Sequence, residues 1–502
     1  MRAPRRPRTI LFLIADTGAG HRSAANAIHH AMLQLEPHHD ARTRAQVQRG
    51  PDWKVVIVDA FAEGSRFPLR NSVFLYGPAI KHSPRLYGQI YRITNTTGRF
   101  NTALRIAQPF FRQGLRHIIE RTRPDVIVSI HPLLNHVTLK VLDDLRLSIP
   151  FLTVVTDLVS IHCAWMAPDV DACVVPTEDA RELALDSGIP EESVHLLGMP
   201  IHPRFAQPPD RTRDEIRASL GLDPALPVVL LVGGGEGAGG LVEAVNTLAR
   251  QQLPAQLVVI TGRNHQLRAD LERYQQRFLT PTHIFGFVEN MPDFMHAADV
   301  IVTKAGPGTI CEAMACNLPI LLTGAVPGQE EGNVEYVLKN GVGELVTDAA
   351  QLTRSLHELL QTGNPRLAQF RENVARISQP RASFDIARLI LSYLPAPSAR
   401  SVWESATHVP RRRQHLRTTS RSVRSLLPRL SGAGVMRPSG RSERAIRRDV
   451  WFSGESRMLG MVQLSRVRTL LRRDPGEDIQ LRRPGSRRRR YDARTPVGSR
   501  RG

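Results

Sequence analysis

Residues 299–333 read DVIVTKAGPGTICEAMACNLPILLTGAVPGQEEGN, and this stretch decides the fold. A helix that begins directly after a glycine turn presents unpaired N–H groups and the positive end of its dipole at one point, which suits a phosphate group. Gly306 and Gly308 leave room there for a ligand to approach. The pattern predicts two buried strands with a turn and a helix between them: strands at 299–303 and 319–322, the turn at 304–308 and the helix at 309–316.

One helical turn further lies Glu312, whose ionised carboxylate would offer two acceptor oxygens to the vicinal hydroxyls of a ribose. An acidic residue near a helix N-terminus also complements the helix dipole, so this simpler role stays open. A second glycine-rich loop follows the predicted strand at 228–232, where Gly234, Gly235 and Gly237 can turn backbone N–H groups toward a pyrophosphate. Two phosphate-directed turns in one domain predict a shared nucleotide diphosphate site.

The segments TKAGPGTICEAM and LPILLTGAVPGQEEGN resemble the nucleotide-sugar half of the monogalactosyldiacylglycerol synthase and processive diacylglycerol glucosyltransferase family. These lipid-modifying enzymes are relatives of the peptidoglycan glycosyltransferase MurG. The resemblance implies an α/β protein with the GT-B fold, in which two Rossmann-like domains with parallel sheets face each other. It covers roughly residues 8–390 in segments.

The resemblance also implies which residues bind the donor. In such enzymes the glycine turn holds the diphosphate, the helix glutamate holds the ribose, a Gln-Glu pair reads the sugar hydroxyls, and the GFVENM segment reads the uracil ring through its backbone. An arginine after an earlier strand assists the phosphates, although a solvated loop arginine is an equal alternative. Together with the glycines of the loop after 228–232, the predicted donor-site residues are Gly234, Gly235, Gly237, Arg263, Phe287, Val288, Gly306, Gly308, Thr309, Glu312, Gln329, Glu330 and Asn333.

Near the N-terminus, a predicted strand at 10–15 leads into the turn DTGAGH and a predicted helix at 22–33. A dinucleotide-binding fold would place an acidic residue about 20 residues after its glycine turn, and Asp59 lies too far along the chain for that role. The stretch ADTGAGHRSAANAI resembles the N-terminal signature of the same family. It implies that His21 deprotonates or orients the acceptor hydroxyl, with Asp16 as the alternative base.

The segment VVTDLVSIHCAWM resembles the family's TDL segment and implies that four residues lie on the acceptor side of the cleft, namely Thr156, Asp157, His162 and Trp165. Asp169 and Asp171 spell a DxD motif, but they precede a buried strand, so two acids ending a turn are favoured over a metal site. The four cysteines have no zinc-ligand spacing and are typical of a reduced cytosolic protein. We expect a metal-independent enzyme without a cofactor beyond its UDP-sugar donor.

Between Glu63 and Glu120 the sequence has no acidic residue, but it has nine Arg or Lys residues and eight aromatic residues. Aromatic rings and cations at interface depth are typical of a protein surface that docks on an anionic bilayer. Core aromatics in ordinary helices, or an RNA-binding face with stacking rings, remain alternatives. The apolar run at 10–15 is too short for a signal peptide, and no stretch is long enough to span a bilayer.

The charge of the chain is concentrated at its C-terminal end. Residues 396–502 contain 27 Arg, no Lys and 8 acidic residues, which gives a net charge of +19 out of +20 for the whole chain. Such a segment predicts a disordered tail that binds anionic lipid, nucleic acid or nothing. The predicted organisation is an acceptor and membrane domain at 1–205, a linker at 206–225, a UDP-sugar domain at 226–395 and the basic tail at 396–502.

These patterns predict an inverting transferase that moves galactose or glucose from UDP-galactose or UDP-glucose to diacylglycerol and forms a β-glycoside. We expect it to act peripherally at the cytoplasmic face of the cell membrane, with anionic lipids and no specific nucleic acid as partners. A MurG-like UDP-N-acetylglucosamine transferase for another lipid acceptor is the nearest alternative. A UDP-sugar epimerase and a nucleic-acid-binding protein that depends on its tail are alternatives from other classes.

Overall fold

The computed structural model describes residues 6–16, 20–35, 52–66, 83–233 and 241–396, together with Trp403. This part of the chain forms two parallel sheets of six strands each, with helices packed on their faces. The prediction of two Rossmann-like α/β domains with parallel sheets is therefore confirmed. The glycines predicted at 234, 235 and 237 and almost all of the basic tail lie outside the described residues.

The first sheet has the strand order β2-β1-β3-β4-β5-β6, and all of its neighbours are parallel. Its strands are nearly continuous apolar runs, as expected for a parallel sheet that helices cover on both faces. The strands are β1 Arg8–Ile14, β2 Trp53–Asp59, β3 Val126–Ser129, β4 Phe151–Val154, β5 Ala172–Val175 and β6 Val194–Leu196.

The second sheet has the order β12-β11-β10-β7-β8-β9, in which the direction of strand succession reverses between β7 and β10. In parallel register, Thr303 at the end of β10 lies opposite Val232 at the end of β7. Both glycine-containing segments therefore leave the sheet side by side at the reversal, where open α/β sheets bind nucleotides. The strands are β7 Val228–Val232, β8 Gln256–Ile260, β9 Thr282–Phe285, β10 Val300–Thr303, β11 Ile320–Leu322 and β12 Gly343–Leu345.

Helices connect the strands and cover both sheets. In the first half of the described chain they are α1 Gly20–Leu35, α2 Pro84–Thr94, α3 Thr97–Thr122, α4 Pro132–Leu145, α5 Glu178–Asp186 and α6 Arg213–Ser219. In the second half they are α7 Leu241–Ala249, α8 His265–Tyr274, α9 Met291–Ala297, α10 Pro307–Ala315, α11 Glu331–Lys339, α12 Ala349–Leu359, α13 Pro365–Ile377 and α14 Ala382–Ser392.

The bounds of α10 differ from the prediction by two residues at its start. The helix begins at Pro307, not at residue 309, with Gly306 as its N-cap. Proline suits the first helical position because its fixed φ is already helical and its missing N–H would have no partner there. The glycine turn is therefore shorter than predicted, and the first free N–H groups lie closer to the strand.

The last helix, α14, packs against the first domain. Ile386, Ala387 and Ile390 are fully buried in the same core as Ile10 and Phe12 of β1. The sequence analysis included this helix in the domain at 226–395, whereas its apolar face covers the sheet formed by the N-terminal residues. The chain thus passes back across the domain boundary, and both ends of the described region contribute to one core.

Candidate active site

The carboxyl ends of β1, β3 and β4 converge on His21, which lies in the first turn of α1. The ring of His131, which follows β3, packs edge-on against His21 with 4.9 Å between the ring centroids. The buried Trp165 indole lies behind them, 6.3 Å from the His21 ring. His21 therefore lies at the strand ends of the first sheet, whereas its role toward the acceptor hydroxyl stays a prediction.

The imidazole of His21 is held in place by Thr156, the second residue after β4. The Thr156 hydroxyl oxygen lies 3.3 Å from Nδ1 of His21. Burial lowers the pKa of His21 to about 4, and the nearby Asp16 carboxylate opposes this only in part. The ring is therefore neutral at physiological pH and can accept a proton.

The other candidate base, Asp16, is occupied by an ion pair. Arg22 donates from Nε to one carboxylate oxygen of Asp16 at 2.8 Å and from a terminal nitrogen to the other at 2.6 Å. Asp59 has a backbone-capping role, since its carboxylate accepts N–H groups of Asp16, Phe61 and Ala62. Asp59 thus organises the loops after β1 and β2, which agrees with the absence of a dinucleotide pattern here.

Asp157, next to Thr156, connects the two domains electrostatically. Its carboxylate accepts the indole N–H of Trp165 at 2.7 Å. Burial raises the pKa of Asp157 to about 6; the Trp165 hydrogen bond opposes this shift, and the negative charge of Glu330 adds to it. Glu330 belongs to the second domain, and next to it the backbone N–H of Gly332 donates to the hydroxyl of Ser160 at 2.8 Å, which brings the start of α11 against the segment that follows β4.

In the second domain, the corner between β10 and α10 is built on an internal ion pair. Lys304 donates to one carboxylate oxygen of Glu330, and the backbone N–H of Val326 donates to the other at 3.0 Å. Glu330 is only 5% exposed, and both of its oxygens are engaged. Glu330, which the resemblance assigns to the sugar hydroxyls, in this structure holds the loop at residues 326–330 against the glycine corner.

The glycines of that corner have different surroundings. Behind Gly306, Lys304 and Glu330 come within 4 Å of the position that a side chain would take, whereas Gly308 faces open space. Asn333 reinforces the corner because its side-chain amide donates to the carbonyl of Ala305 at 2.8 Å. The start of α10, including Thr309, therefore has its exposed N–H groups beside an open region and a rigid support behind it.

Glu312 is half-buried in the second turn of α10. Among the residues that the structure describes, no donor forms a hydrogen bond with its carboxylate. Burial raises its pKa from 4.5 to about 7. A half-buried carboxylate that lacks a protein donor can accept a hydrogen bond from a ligand hydroxyl, and groups with perturbed pKa values concentrate at functional sites.

At the predicted uracil segment, the exposed Phe287 ring lies under the guanidinium of Arg263, 5.1 Å from its centroid. Val288, which follows, is half-buried against the core of the second domain. Arg263 therefore lies beside the predicted base-reading segment. The predicted role of Arg263 in binding the phosphates stays a prediction.

One residue of the TDL segment, His162, and one residue of the DxD motif, Asp171, contact other parts of the first domain. His162 contacts the hydroxyl of Thr94 at the end of α2 and packs against Tyr91, so it anchors that helix. Asp171 of the DxD motif accepts the backbone N–H of Phe151 at 2.7 Å, which agrees with a structural role. Within the described ranges, no group of three or more His, Cys, Asp or Glu side chains is placed to hold a metal ion.

Sequence reasoning missed three residues of this site. His131 was not singled out, and Lys304 was included only in the predicted turn at 304–308, although each follows a strand at its carboxyl end. Tyr87 was assigned to a group of aromatics, whereas its hydroxyl donates to Gln329 of the second domain at 2.9 Å. Residues that directly follow a parallel strand lie at the sheet edge where ligands bind, so the sequence could have indicated His131 and Lys304. No local pattern indicated the contact of Tyr87.

Two Rossmann-like domains, with a glycine corner at the strand-order reversal of the second sheet and a neutral histidine at the strand ends of the first, have the architecture of the GT-B class of nucleotide-sugar transferases. Residues 21–201 match the family model for monogalactosyldiacylglycerol (MGDG) synthase, and residues 228–386 match the glycosyltransferase family 28 C-terminal domain. The chain belongs to the monogalactosyldiacylglycerol synthase family and is a UDP-sugar-dependent glycosyltransferase. Because the chain belongs to a family of glycosyltransferases, the alternative of a UDP-sugar epimerase is not favoured.

Similar proteins support this placement. Monogalactosyldiacylglycerol synthase 2 of Arabidopsis thaliana is 33% identical over 392 residues, which covers 76% of this chain and 80% of the relative. Monogalactosyldiacylglycerol synthase 1 of the same plant is 34% identical over 394 residues, covering 76% of this chain and 70% of the relative. MurG of Acinetobacter baumannii, at 14% identity, shares the fold with a TM-score of 0.50 over 77% of this chain and its own full length.

The raised pKa of Glu312 predicts a specific dependence of stability on pH. Between pH 4.5 and about 7 the native protein holds this proton more tightly than the unfolded chain does, so the free energy of unfolding decreases as pH rises through that window. Glu312→Gln lacks this titration. In urea unfolding, we expect the variant to gain stability relative to the wild type at pH 8 compared with pH 4.5.

The exposed Glu243, in the first turn of α7, provides the control. Glu243→Gln should show no comparable difference between the two pH values. If Glu312→Gln and the wild type keep the same stability difference at both pH values, the assignment of an unpaired buried carboxylate at this position is incorrect.

Proposed function

We propose that this protein transfers galactose or glucose from a UDP-sugar to the 3-hydroxyl of diacylglycerol and forms a β-glycosyl diacylglycerol. The observation that carries this is the contact of Gly332 with Ser160, because it joins two parts of the proposed site: the segment after β4, whose Thr156 lies 3.3 Å from His21, and the Glu330 loop that supports the glycine corner. The similar proteins named above are monogalactosyldiacylglycerol synthases, which supports a diacylglycerol acceptor and favours galactose as the sugar.

His21 is the base in this mechanism. If Nδ1 carries its proton toward the Thr156 hydroxyl, 3.3 Å away, Nε2 keeps a lone pair for the acceptor hydroxyl. The oxygen of diacylglycerol attacks the anomeric carbon as His21 takes its proton, and the bond to UDP breaks on the opposite face. Asp16 is the less suitable base because Arg22 engages both of its oxygens. A single displacement inverts an α-linked donor to a β-glycoside.

Negative charge develops on the departing diphosphate, and the start of α10 supplies fixed N–H groups for it. The N–H groups of Gly308 and Thr309 would donate there, while Gly306, whose own N–H donates to the carbonyl of Lys304 at 2.7 Å, would let the diphosphate approach the corner. We expect further donors from Gly234, Gly235 and Gly237, which lie outside the described residues. Such preorganised donors stabilise the transition state more than the ground state because they need no reorganisation as charge appears. The adjacent ends of β7 and β10 support this convergence.

The other donor contacts follow from the same arrangement. Glu312 accepts both ribose hydroxyls, which its lack of a protein donor supports. Gln329 contacts a sugar hydroxyl, while Glu330 and Asn333 hold the loop and the corner in place. Phe287 and Val288 lie at the uracil end, and Arg263 beside Phe287 extends its charge toward the phosphates.

Helices α2 and α3 form the protein surface that docks on the membrane, from which the diacylglycerol acceptor is delivered. Leu86, Ile90 and Ile93 lie on one face of α2 and are each more than half exposed, and Ile106 of α3 is also exposed. Arg85, Arg99 and Arg105 lie nearby in sequence and are exposed, without an ion pair in the part of the chain that the structure describes. Aliphatic side chains among unpaired arginines suit an anionic bilayer.

The aromatic residues do not support the predicted membrane role. Phe100 and Phe111 are buried in the first domain, while Tyr87 and Tyr91 contact other parts of the protein. Phe67, Phe74 and Tyr76 lie outside the described residues. The docking surface that we propose therefore rests on aliphatic residues and arginines.

None of the described helices is long and apolar enough to cross a bilayer. From the docking surface on α2 and α3, we propose that the enzyme acts peripherally at the cytoplasmic face of the membrane.

Incubation of the full chain with vesicles of diacylglycerol and an anionic phospholipid tests the reaction. With UDP-galactose or UDP-glucose we expect a glycosyl diacylglycerol whose anomeric proton shows the β configuration by NMR, and we expect galactose to be preferred. Vesicles without diacylglycerol are the control and should give no glycolipid. Absence of glycolipid with both donors would contradict the proposed function, and conversion of the donor sugar without any acceptor would favour an epimerase.

Loss of the base should affect turnover and not donor binding. His21→Ala should lower kcat by about 10²- to 10⁴-fold, the range for removal of a positioned general base, while UDP affinity measured by calorimetry stays within about twofold. His30→Ala removes an exposed histidine from the same helix and should leave kcat nearly unchanged. Equal kcat values for His21→Ala and the wild type would remove His21 from this role.

The membrane surface is tested by placing a charge on α2. Ile90 is 53% exposed, and Ile90→Glu should reduce sedimentation with anionic vesicles about tenfold or more, since it removes an apolar side chain that would enter the bilayer and adds electrostatic repulsion. Leu279 is 66% exposed in the second domain, and Leu279→Glu is the matched control that should bind as the wild type does. If both variants sediment equally, α2 does not form the docking surface.

A further inference from the structure

We infer that Tyr87, on helix α2 of the acceptor domain, positions Gln329 and thereby controls recognition of the donor sugar from across the domain boundary. This inference deepens the proposed function and rests on it. Tyr87 donates its hydroxyl proton to the side-chain oxygen of Gln329 at 2.9 Å, although the two residues lie 242 positions apart in the chain. It is a positioning residue, because it acts on the sugar through Gln329.

The backbone contact beneath this hydrogen bond is unusually close. A side chain on Gly88 would place its Cβ 2.8 Å from Cβ of Pro327, and one on Gly328 would lie 3.2 Å from the Gly88 carbonyl oxygen. Gly328 also has a φ of +80°, a left-handed conformation that glycine adopts at little cost. The helix and the donor loop therefore touch through glycine backbone, which fixes their separation better than flexible side chains would.

Polar contacts from the turn of α2 that follows Tyr87 hold the helix against the same region of the second domain. Arg92 forms an ion pair with Glu331, with its terminal nitrogen 2.7 Å from one carboxylate oxygen. Tyr91 donates to the carbonyl of Ser160 at 2.7 Å, and the Ser160 hydroxyl accepts the backbone N–H of Gly332 at 2.8 Å. The loop that carries Gln329 is therefore held at several points by the acceptor domain.

Helix geometry places the two functions of α2 on different faces, roughly 110° apart about the helix axis. Leu86, Ile90 and Ile93 follow the i, i+4, i+7 spacing of one stripe, whereas Tyr87 and Tyr91 lie on the face turned toward the rest of the protein. A single rigid helix thus connects the exposed apolar surface to the loop that would read the sugar. The orientation of the Gln329 amide depends on this contact, because its oxygen accepts the Tyr87 proton.

The test separates recognition of the sugar from recognition of UDP. Calorimetry is used to compare the affinities of UDP, UDP-galactose and UDP-glucose for the wild type, Tyr87→Phe, Gln329→Ala and the double variant. Tyr87→Phe should weaken binding of the preferred UDP-sugar about three- to tenfold, as expected for one hydrogen bond. UDP affinity should stay unchanged in all four proteins, because Gln329 faces the sugar and not the nucleotide.

The double variant is the decisive measurement. If Tyr87 acts through Gln329, Tyr87→Phe should add no further loss to Gln329→Ala, as a coupled pair requires in a double-mutant cycle. Tyr393→Phe provides the matched control, since that hydroxyl donates to the backbone carbonyl of Asp171 at 3.0 Å on the first domain. It should bind UDP-sugars as the wild type does.

Equal UDP-sugar affinity for the wild type and Tyr87→Phe, or independent losses that multiply in the double variant, would overturn the inference. A parallel loss of UDP affinity would also overturn it, because that result indicates a general disturbance of the donor domain. These measurements need no acceptor. A failure here is therefore distinguishable from a failure of the proposed reaction, which would show as missing glycolipid from the wild-type protein.

Discussion

The parallel pairing of β7 with β10 is the constraint on which the rest of the structure depends. Because Thr303 lies opposite Val232, two strands that end in glycine-containing segments leave the sheet at the same level, at the point where strand order reverses. A diphosphate needs donors that converge from more than one direction, and adjacent strand ends supply that convergence. The start of α10 takes its direction from this corner.

Burial in the cleft divides the charged groups into two sets. His21, Asp157 and Glu312 all have pKa values shifted toward their neutral forms, because burial disfavours the charged state of each. Asp16 and Glu330, in contrast, are engaged by Arg22 and Lys304. The paired carboxylates shape the loops, and the groups with shifted pKa values are the ones suited to exchange protons or hydrogen bonds with a substrate.

The sequence indicated most of the fold and a large part of the candidate site. Continuous apolar runs followed by glycine predicted β1, β7 and β10, and the position of His21 after its turn placed it at a strand end. The engagement of Glu330 by Lys304 was not predictable, since a Gln-Glu pair in a loop reads equally well as two exposed polar residues. The contact of Tyr87 with Gln329 was likewise hidden, because an aromatic residue among arginines gave no indication of a partner in another domain.

By itself, the sequence determined the succession of strands and helices, the two glycine corners and the family to which the chain belongs, because these depend on residues that are neighbours along the chain. Only the tertiary structure decided that α14 completes the core of the first domain and that α2 meets the donor loop. It also decided which acidic groups are paired and which are unpaired and shifted. Burial and pairing depend on residues that folding brings together from distant positions, and local patterns carry no record of them.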